Sequence, residues 1–327
     1  MRDDDLRLAD LLAALSVTTD LGMGQEPEKA VRGCLVATGL ARAMDLPEAE
    51  VRDVFWTTLL QHVGCTAPAH ETSYLFGDDL TVAVQAERTD SASLRETLAL
   101  LATVGRGTGV DRPRHLARMI AAGKDGSRGI ARAVCEVGDL MAERLALGAG
   151  VRLGLRHSME RWDGKGDAYR LAGDDIALPA RVSVVATQAV IFDRLGGPDA
   201  AVQMARRRAG GWFDPAVADR FARVGAGVLG RLAAAGVWAE VLEAEPGRSA
   251  GSPGSGSTTW PGPSPTWSTC SPRSPSATRP AWPNSPGRPP GCWGSQTATP
   301  TCSAGRPCCT TWGGWRSRAA SGRGPGR

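Results

Sequence analysis

Histidine, tyrosine and phenylalanine are scarce in this 327-residue chain, with four His, two Tyr and five Phe. No stretch approaches the 18 or so consecutive apolar residues that a membrane-spanning helix needs. The opening Met-Arg-Asp-Asp-Asp has the wrong charge for a signal peptide. The expectation is a cytoplasmic protein with no membrane segment. The sharpest absence is local: residues 251–327 contain no Leu, Ile, Val, Met, Phe, Tyr, His, Lys, Asp or Glu. The same stretch holds six of the ten Trp, five of the eight Cys and fourteen of the 22 Pro. Without aliphatic side chains it cannot bury enough apolar area to offset chain entropy, so residues 246–327 are expected to be a disordered tail. Its only charges are eight Arg, which leaves residues 1–250 at −4 although the whole chain is at +4. The basic balance is therefore no guide to what the folded part binds.

A Ser/Pro/Gly linker is the plain reading of the tail, but six Trp and the Cys308-Cys309 pair suit it poorly. A shifted reading frame is the sharper one. Prefixing the first two bases of each codon with the last base of the codon before it turns Cys308–Trp315 into a string that permits Leu-Leu-His-Asp-Leu-Gly-Arg-Val. The second Leu and the Gly are forced by the code. The same shift over Ala277–Pro286 permits Gly-His-Ser-Pro-Gly-Val-Ala-Glu-Leu-Ala, with the Ala opposite Pro283 forced. Both strings are amphipathic and helix-forming. On this reading the tail is a frameshifted second domain, and its Cys and Arg clusters are not sites.

Residues 1–245 read as helices nearly throughout. Leu6, Leu8, Leu11, Leu12 and Leu15 open an apolar helix, and Ala30, Val31, Cys34, Leu35, Thr38 and Ala41 follow a 3.6-residue period. Pro47 and Glu48 start another helix at its first turn, continued by Val51, Val54, Phe55, Thr58, Leu59 and His62. Further helices fit 91–104, 113–122, 128–147, 180–194, 198–208 and 215–244. Glycine clusters at Gly22-Met23-Gly24, Gly77-Asp78-Asp79, Gly105–Gly109 and Gly123–Gly126 predict the breaks between them. The fold class is all-α. Cys34, Cys65 and Cys135 lie on or beside apolar stretches and read as small buried hydrophobes in a reducing compartment.

The most specific string is Glu160-Arg161-Trp162-Asp163-Gly164-Lys165-Gly166, followed by Leu171-Ala172-Gly173-Asp174-Asp175-Ile176-Ala177-Leu178-Pro179-Ala180-Arg181-Val182. Physically it is a helix end, a tight Asp-Gly-x-Gly loop and a restart at Pro179. It resembles the E-R-W-D-G-x-G-Y-P and G-x-x-I-P-L-x-A-R-I segments of HD-GYP and related HD-domain metal-dependent phosphohydrolases. Weaker resemblance runs from about residue 8 to residue 240, including Val134-Cys135-Glu136-Val137 and Met141–Leu147. The chain looks like the N-terminal, degenerate HD domain of an actinobacterial-type tandem protein. In intact relatives of that kind a second HD domain carries the ligands and a LuxR-type helix-turn-helix closes the chain. The two frame-recovered strings resemble, in the right order, the metal-ligand helices of such a second domain.

HD enzymes hold divalent metal through a His, an adjacent His-Asp pair and a later Asp. The metal lowers the pKa of a bound water and neutralises a phosphate, so its imidazole and carboxylate ligands are not freely exchanged for other types. The resemblance breaks at these positions. L-L-H-D-x-G-K aligns with Leu59-Leu60-Gln61-His62-Val63-Gly64-Cys65, so the His-Asp pair has become Gln61-His62. The preceding helix offers Lys29 or its neighbours where a His is expected. The late H-H-E is Ser158-Met159-Glu160, V-A-D is Val185-Ala186-Thr187, and G-Y-P is Gly166-Asp167-Ala168. The matched positions are thus Gln61, His62, Glu160 and Thr187, and no metal is expected.

Each remaining candidate has two readings. His62 is a metal ligand or a hydrogen-bonded core or cleft histidine, and the second is favoured. Glu160 and Arg161 are a ligand and a phosphate contact, or a structural ion pair holding the Asp163-Gly164 turn, again with the second favoured. His70, His115 and His157 stand beside charged neighbours and read as exposed. Gly105–Gly109 lacks the flanking strand and the Gly-Lys-Ser/Thr of a phosphate loop. Arg206-Arg207-Arg208 reads as a solvated helix end rather than a nucleic-acid contact. Trp212-Phe213-Asp214-Pro215 reads as a hydrophobic staple with an Asp cap. The expected function is a non-catalytic HD-family signalling or regulatory domain that acts as scaffold or sensor. A homodimer, a protein partner or a nucleotide ligand stays open. The alternative is an active phosphodiesterase, on a cyclic dinucleotide by analogy, with Mn, Fe or Mg held by His62, His157 and Glu160. A third reading, transcriptional regulation, requires a C-terminal domain for DNA that residues 1–245 do not contain.

Overall fold

The computed structural model describes residues 7–77, 79–104, 112–232 and 236–247, the side chains of 79 and 124 excepted. Eleven α-helices make up the described chain, which has no strand beyond an isolated bridge between Ala209 and Phe213. They are α1 (Leu8–Gly22), α2 (Lys29–Ala43), α3 (Glu48–Leu60), α4 (Ala69–Phe76), α5 (Asp79–Arg88), α6 (Leu94–Leu101), α7 (Arg112–Arg144), α8 (Ala149–Arg156), α9 (Leu178–Arg208), α10 (Pro215–Leu232) and α11 (Val237–Ala244). All but the first two residues of 246–327 lie outside the described residues, as does Gly105–Gly109. Among the described residues no helix is long and apolar enough to cross a membrane.

Helix α2 is the centre of the packing because its sequence is apolar or small almost all round. Val36, Ala37, Leu40 and Ala41 pack with Val182, Val185, Ala186 and Ala189 of α9 and with Phe221 and Leu229 of α10. On its other side Val31 and Cys34 pack with Leu12 of α1, Phe55 and Leu59 of α3 and Leu155 of α8. Phe55, Phe213 and Phe221 are fully buried. Each such ring removes enough apolar area from water to stabilise the fold by about 2–3 kcal/mol.

Two expected helix breaks stand as kinks, where the backbone leaves the helical region between two helical halves. Gly123 (φ 53°) bends α7, and Gly196-Gly197-Pro198 bends α9, with Gly197 at φ 78°. Pro198 cannot donate an i→i−4 hydrogen bond, and Gly197 reaches the left-handed region at no steric cost. The second half of α9 still packs on the same core through Ala201, Met204 and Ala205. In contrast, α4 and α6 bury no residue. Leu94 and Leu98 of α6 are exposed, and Val82 is the buried hydrophobe of α5.

Candidate functional site

A buried polar cluster forms where the end of α1, the start of α2, the end of α3 and the end of α5 meet. Asp20 caps the first turn of α2, its Oδ2 accepting from the Ala30 backbone N–H at 2.9 Å. A carboxylate is favoured there by the free amides and the positive end of the helix dipole. Its other oxygen is buried with no hydrogen-bond partner among the described residues. Burial pushes the Asp20 carboxyl up to about 6, although the Ala30 amide and the Lys29 ammonium oppose it.

Lys29, the first residue of α2, is 3% exposed, and its Nζ lies 2.5 Å from Glu87 Oε1. His62 Nε2 lies 3.4 Å from the same oxygen, and Cys65 Sγ is 3.7 Å from His62 Nδ1. Burial drives the His62 imidazole down to about 4, and the adjacent Lys29 adds to this against the pull of Glu87. His62 is therefore neutral at pH 7. Burial alone would raise the Glu87 carboxyl, but Lys29 and then His62 hold it below the usual glutamate range. Burial also pushes the Cys65 thiol up to about 12, so it is not a thiolate.

Beside this cluster the α3–α9 contact is polar. The Gln61 amide donates to the Thr187 hydroxyl, and Thr58 and Ser183 share a hydrogen bond at 2.6 Å. Gly64, in the turn after α3, is buried, and a Cβ there would run into the carbonyl of Val134 on α7.

The Glu160–Gly166 loop is held from three directions. Glu160, 4% exposed, accepts from the backbone N–H groups of Tyr169 at 2.5 Å and Leu171 at 3.2 Å. Gly166 passes so close that a Cβ would meet the Glu160 carboxylate and backbone. Arg161 makes a two-pronged contact with Asp163, both distances 3.1 Å, and reaches Asp90 Oδ1 at 2.7 Å. Gly164 turns the chain at φ 71°, a conformation that favours glycine. The backbone amides of Trp162 and Asp163 donate to the carbonyls of Trp212 and Gly211, which docks the loop on the α9–α10 turn. Asp214 caps α10 through the Ala216 N–H at 2.8 Å, as expected, and also pairs with Arg181.

Several expectations need correction. Glu160 and Arg161 do not pair with each other: Arg161 bonds two aspartates, and Glu160 gathers the amides of its own loop. His115 is buried rather than exposed. His157 is half-buried, and its Nδ1 accepts from the Ala177 N–H at 3.1 Å at the start of α9. His70 is exposed, as expected. Of the arginine run only Arg206 and Arg207 are solvated. Arg208 is buried, donates to Gln188 at 2.6 Å and to the Arg88 carbonyl at 2.7 Å, and lies 3.3 Å from Glu96. Cys34 and Cys135 are buried and Cys65 is partly so. Asp20, Glu87, Asp90 and Arg208 had no part in the sequence reading of the site.

The matched positions Gln61, His62 and Thr187 do converge with Lys29. The donor set they offer is an amide, a neutral imidazole, a hydroxyl and an ammonium ion. This set does not fit a divalent metal, because the ammonium both repels a second cation and already occupies the nearest carboxylate. His157 and Glu160 line one narrow cleft with Trp162 and Trp212, whereas His62 belongs to the Lys29–Glu87 cluster.

No family model matches the chain. It is 26% identical over 210 residues to the 3'3'-cGAMP-specific phosphodiesterase 3 of Vibrio cholerae serotype O1, covering 64% of this chain and 46% of that protein. A solved structure of a cyclic GMP-AMP-specific phosphodiesterase of V. cholerae is similar with a TM-score of 0.56 at 24% identity, over 73% of this chain and 54% of the other. The likeness to the solved structure shows the fold. This chain spans about half the length of the proteins it matches.

Proposed function

We propose that residues 1–245 form an HD-type phosphohydrolase domain with a degenerate site, serving a signalling pathway as a scaffold or sensor rather than as a catalyst. One observation carries the reading: at the matched ligand positions a buried lysine pairs with Glu87, and Gln61 is tied to Thr187. The similarity to a cyclic GMP-AMP phosphodiesterase supports the phosphohydrolase ancestry. The test uses the full chain, with metal content measured after purification and 3'3'-cGAMP offered with Mn²⁺ or Mg²⁺. No bound metal and no turnover above a blank are expected. A stoichiometric metal with hydrolysis of the dinucleotide would overturn the reading.

That second outcome would establish the other reading, a working metal phosphodiesterase, which the same similarity favours. In the degenerate reading catalysis belongs to a second HD domain, for which the shifted frame of 246–327 supplies the candidate strings. Sequencing the gene across the codons for Glu245 to Gly256 decides this. One inserted or deleted base supports it, and an unaltered frame refutes it. A partner, a second copy or DNA binding through a further C-terminal domain belongs to the same scaffold role.

A further inference from the structure

Three buried cations of the body face one short segment. Lys29, Arg161 and Arg208 are 3%, 5% and 6% exposed. Each meets a carboxylate of that segment, Glu87 at 2.5 Å, Asp90 at 2.7 Å and Glu96 at 3.3 Å, all within ten residues of chain, and Arg161 also pairs with Asp163 of its own loop. The cations are joined into one strip. Gln188 donates to the Glu87 carbonyl at 2.7 Å and accepts from Arg208 at 2.6 Å. Arg208 and Arg161 both lie over the Trp212 ring, at 4.7 and 5.4 Å. Asp90 and Glu96 are bridged in turn, the Asp90 N–H donating to Glu96 at 2.7 Å.

Among the described residues the segment has few fully buried apolar anchors. Helix α6 buries no residue, Val82 of α5 and Val104 after α6 are buried, and Leu80, Leu94 and Leu98 are exposed. Ion pairs and hydrogen bonds therefore supply much of its seating, through anionic oxygens of the kind that Lys and Arg also take from a phosphate. Arginines stacked on an indole and an ammonium at a helix start also suit a ligand that combines phosphates with a flat base.

We propose that residues 87–96 are an internal anionic plug in a phosphate-binding cleft formed by Lys29, Arg161 and Arg208, and that a phosphate-bearing nucleotide binds by displacing it. The binding is independent of hydrolysis, so the proposal stands or falls apart from the degenerate reading of the site. The plug keeps the cleft closed until ligand competes for the three cations.

The experiment titrates the full chain, in EDTA, with 3'3'-cGAMP and with inorganic pyrophosphate by calorimetry. The Asp90→Asn/Glu96→Gln variant should bind at least one probe about tenfold or more tightly than the wild type, because two competing anions are gone. The Asp219→Asn/Glu243→Gln variant has the same change in net charge at exposed positions and should bind as the wild type does. Adding Arg208→Gln to the first variant should abolish the gain. Gain with both probes identifies the phosphate as the recognised group, and gain with 3'3'-cGAMP alone adds the base. Hydrogen exchange gives a second readout in the unaltered chain: a saturating probe should speed exchange of amides across α5 and α6. No gain with either probe in a folded variant, or exchange left unchanged or slowed by the probe, overturns the plug.

Discussion

Replacing Lys29 with methionine keeps the length of the side chain and removes its charge, and the structure lets the cost be worked out. Lys29 is 3% exposed and meets Glu87 at 2.5 Å, and Glu87 is itself largely enclosed. Breaking a buried pair by removing one partner typically costs 3–5 kcal/mol, because the remaining charge stays desolvated. For a domain of this size that is a fall in Tm of roughly 10 °C. The Lys29→Met change would remove the strongest attraction that opposes burial of the Glu87 charge, so its carboxyl rises and takes up a proton more readily. The loss should therefore be largest near pH 8 and shrink towards pH 5, where a proton on Glu87 or His62 relieves the buried charge. Urea unfolding at both pH values, followed by far-UV circular dichroism, measures it. The double variant Lys29→Met/Glu87→Leu should recover most of the loss, since an apolar pair of similar volume replaces the ions. A Lys29→Met cost below about 1 kcal/mol at pH 8, or a double variant no better than the single one, would refute the argument that this pair is a closed, mutually dependent unit.

Other perturbations read neighbouring features. Asp20 carries a folded-state pKa of about 6 against 3.8, so its charge opposes folding above pH 6 by up to about 3 kcal/mol, and the penalty fades as pH falls to 4. Asp20→Asn should accordingly stabilise the protein at pH 8 and leave stability unchanged near pH 4, which denaturant titrations at the two pH values will show. Gly64→Ala drives a methyl into the Val134 carbonyl, backbone that cannot swing away, and should destabilise the fold by about 2–3 kcal/mol, read as a lower Tm.

The helices were legible because apolar side chains recur with the helical period and nothing alternates as a strand does. The breaks at Gly123 and at Gly196-Gly197 were legible too, since the backbone leaves the helical region at both; what the sequence did not show is that the halves on either side of Gly197 share one core. The sequence reading had set Gln61, His62 and Thr187 side by side, and in the fold Gln61 bonds Thr187 while His62 lies against Glu87. Glu87, Asp90 and Arg208 were invisible for a physical reason. Each is a single charge whose partner lies between 58 and 112 residues away in the chain, and no local spacing encodes such a pair. Lys29 gave no hint either, because Glu26, Glu28 and Arg32 surround it in the sequence and make it look like one charge among several.

The way Glu160 is used has a consequence for how such chains diverge. Its carboxylate closes the loop by collecting the amides of Tyr169 and Leu171, and Gly166 must stay small to pass beside it. Trp162 and Asp163 meanwhile hang the loop on the α9–α10 turn. These contacts belong to the fold itself, whether or not a reaction takes place nearby. Selection for folding alone would then suffice to keep the Glu-Arg-Trp-Asp-Gly string, whatever became of any residues that do chemistry. A copy of the gene freed from catalysis would keep its most recognisable string the longest, and would go on looking like an enzyme.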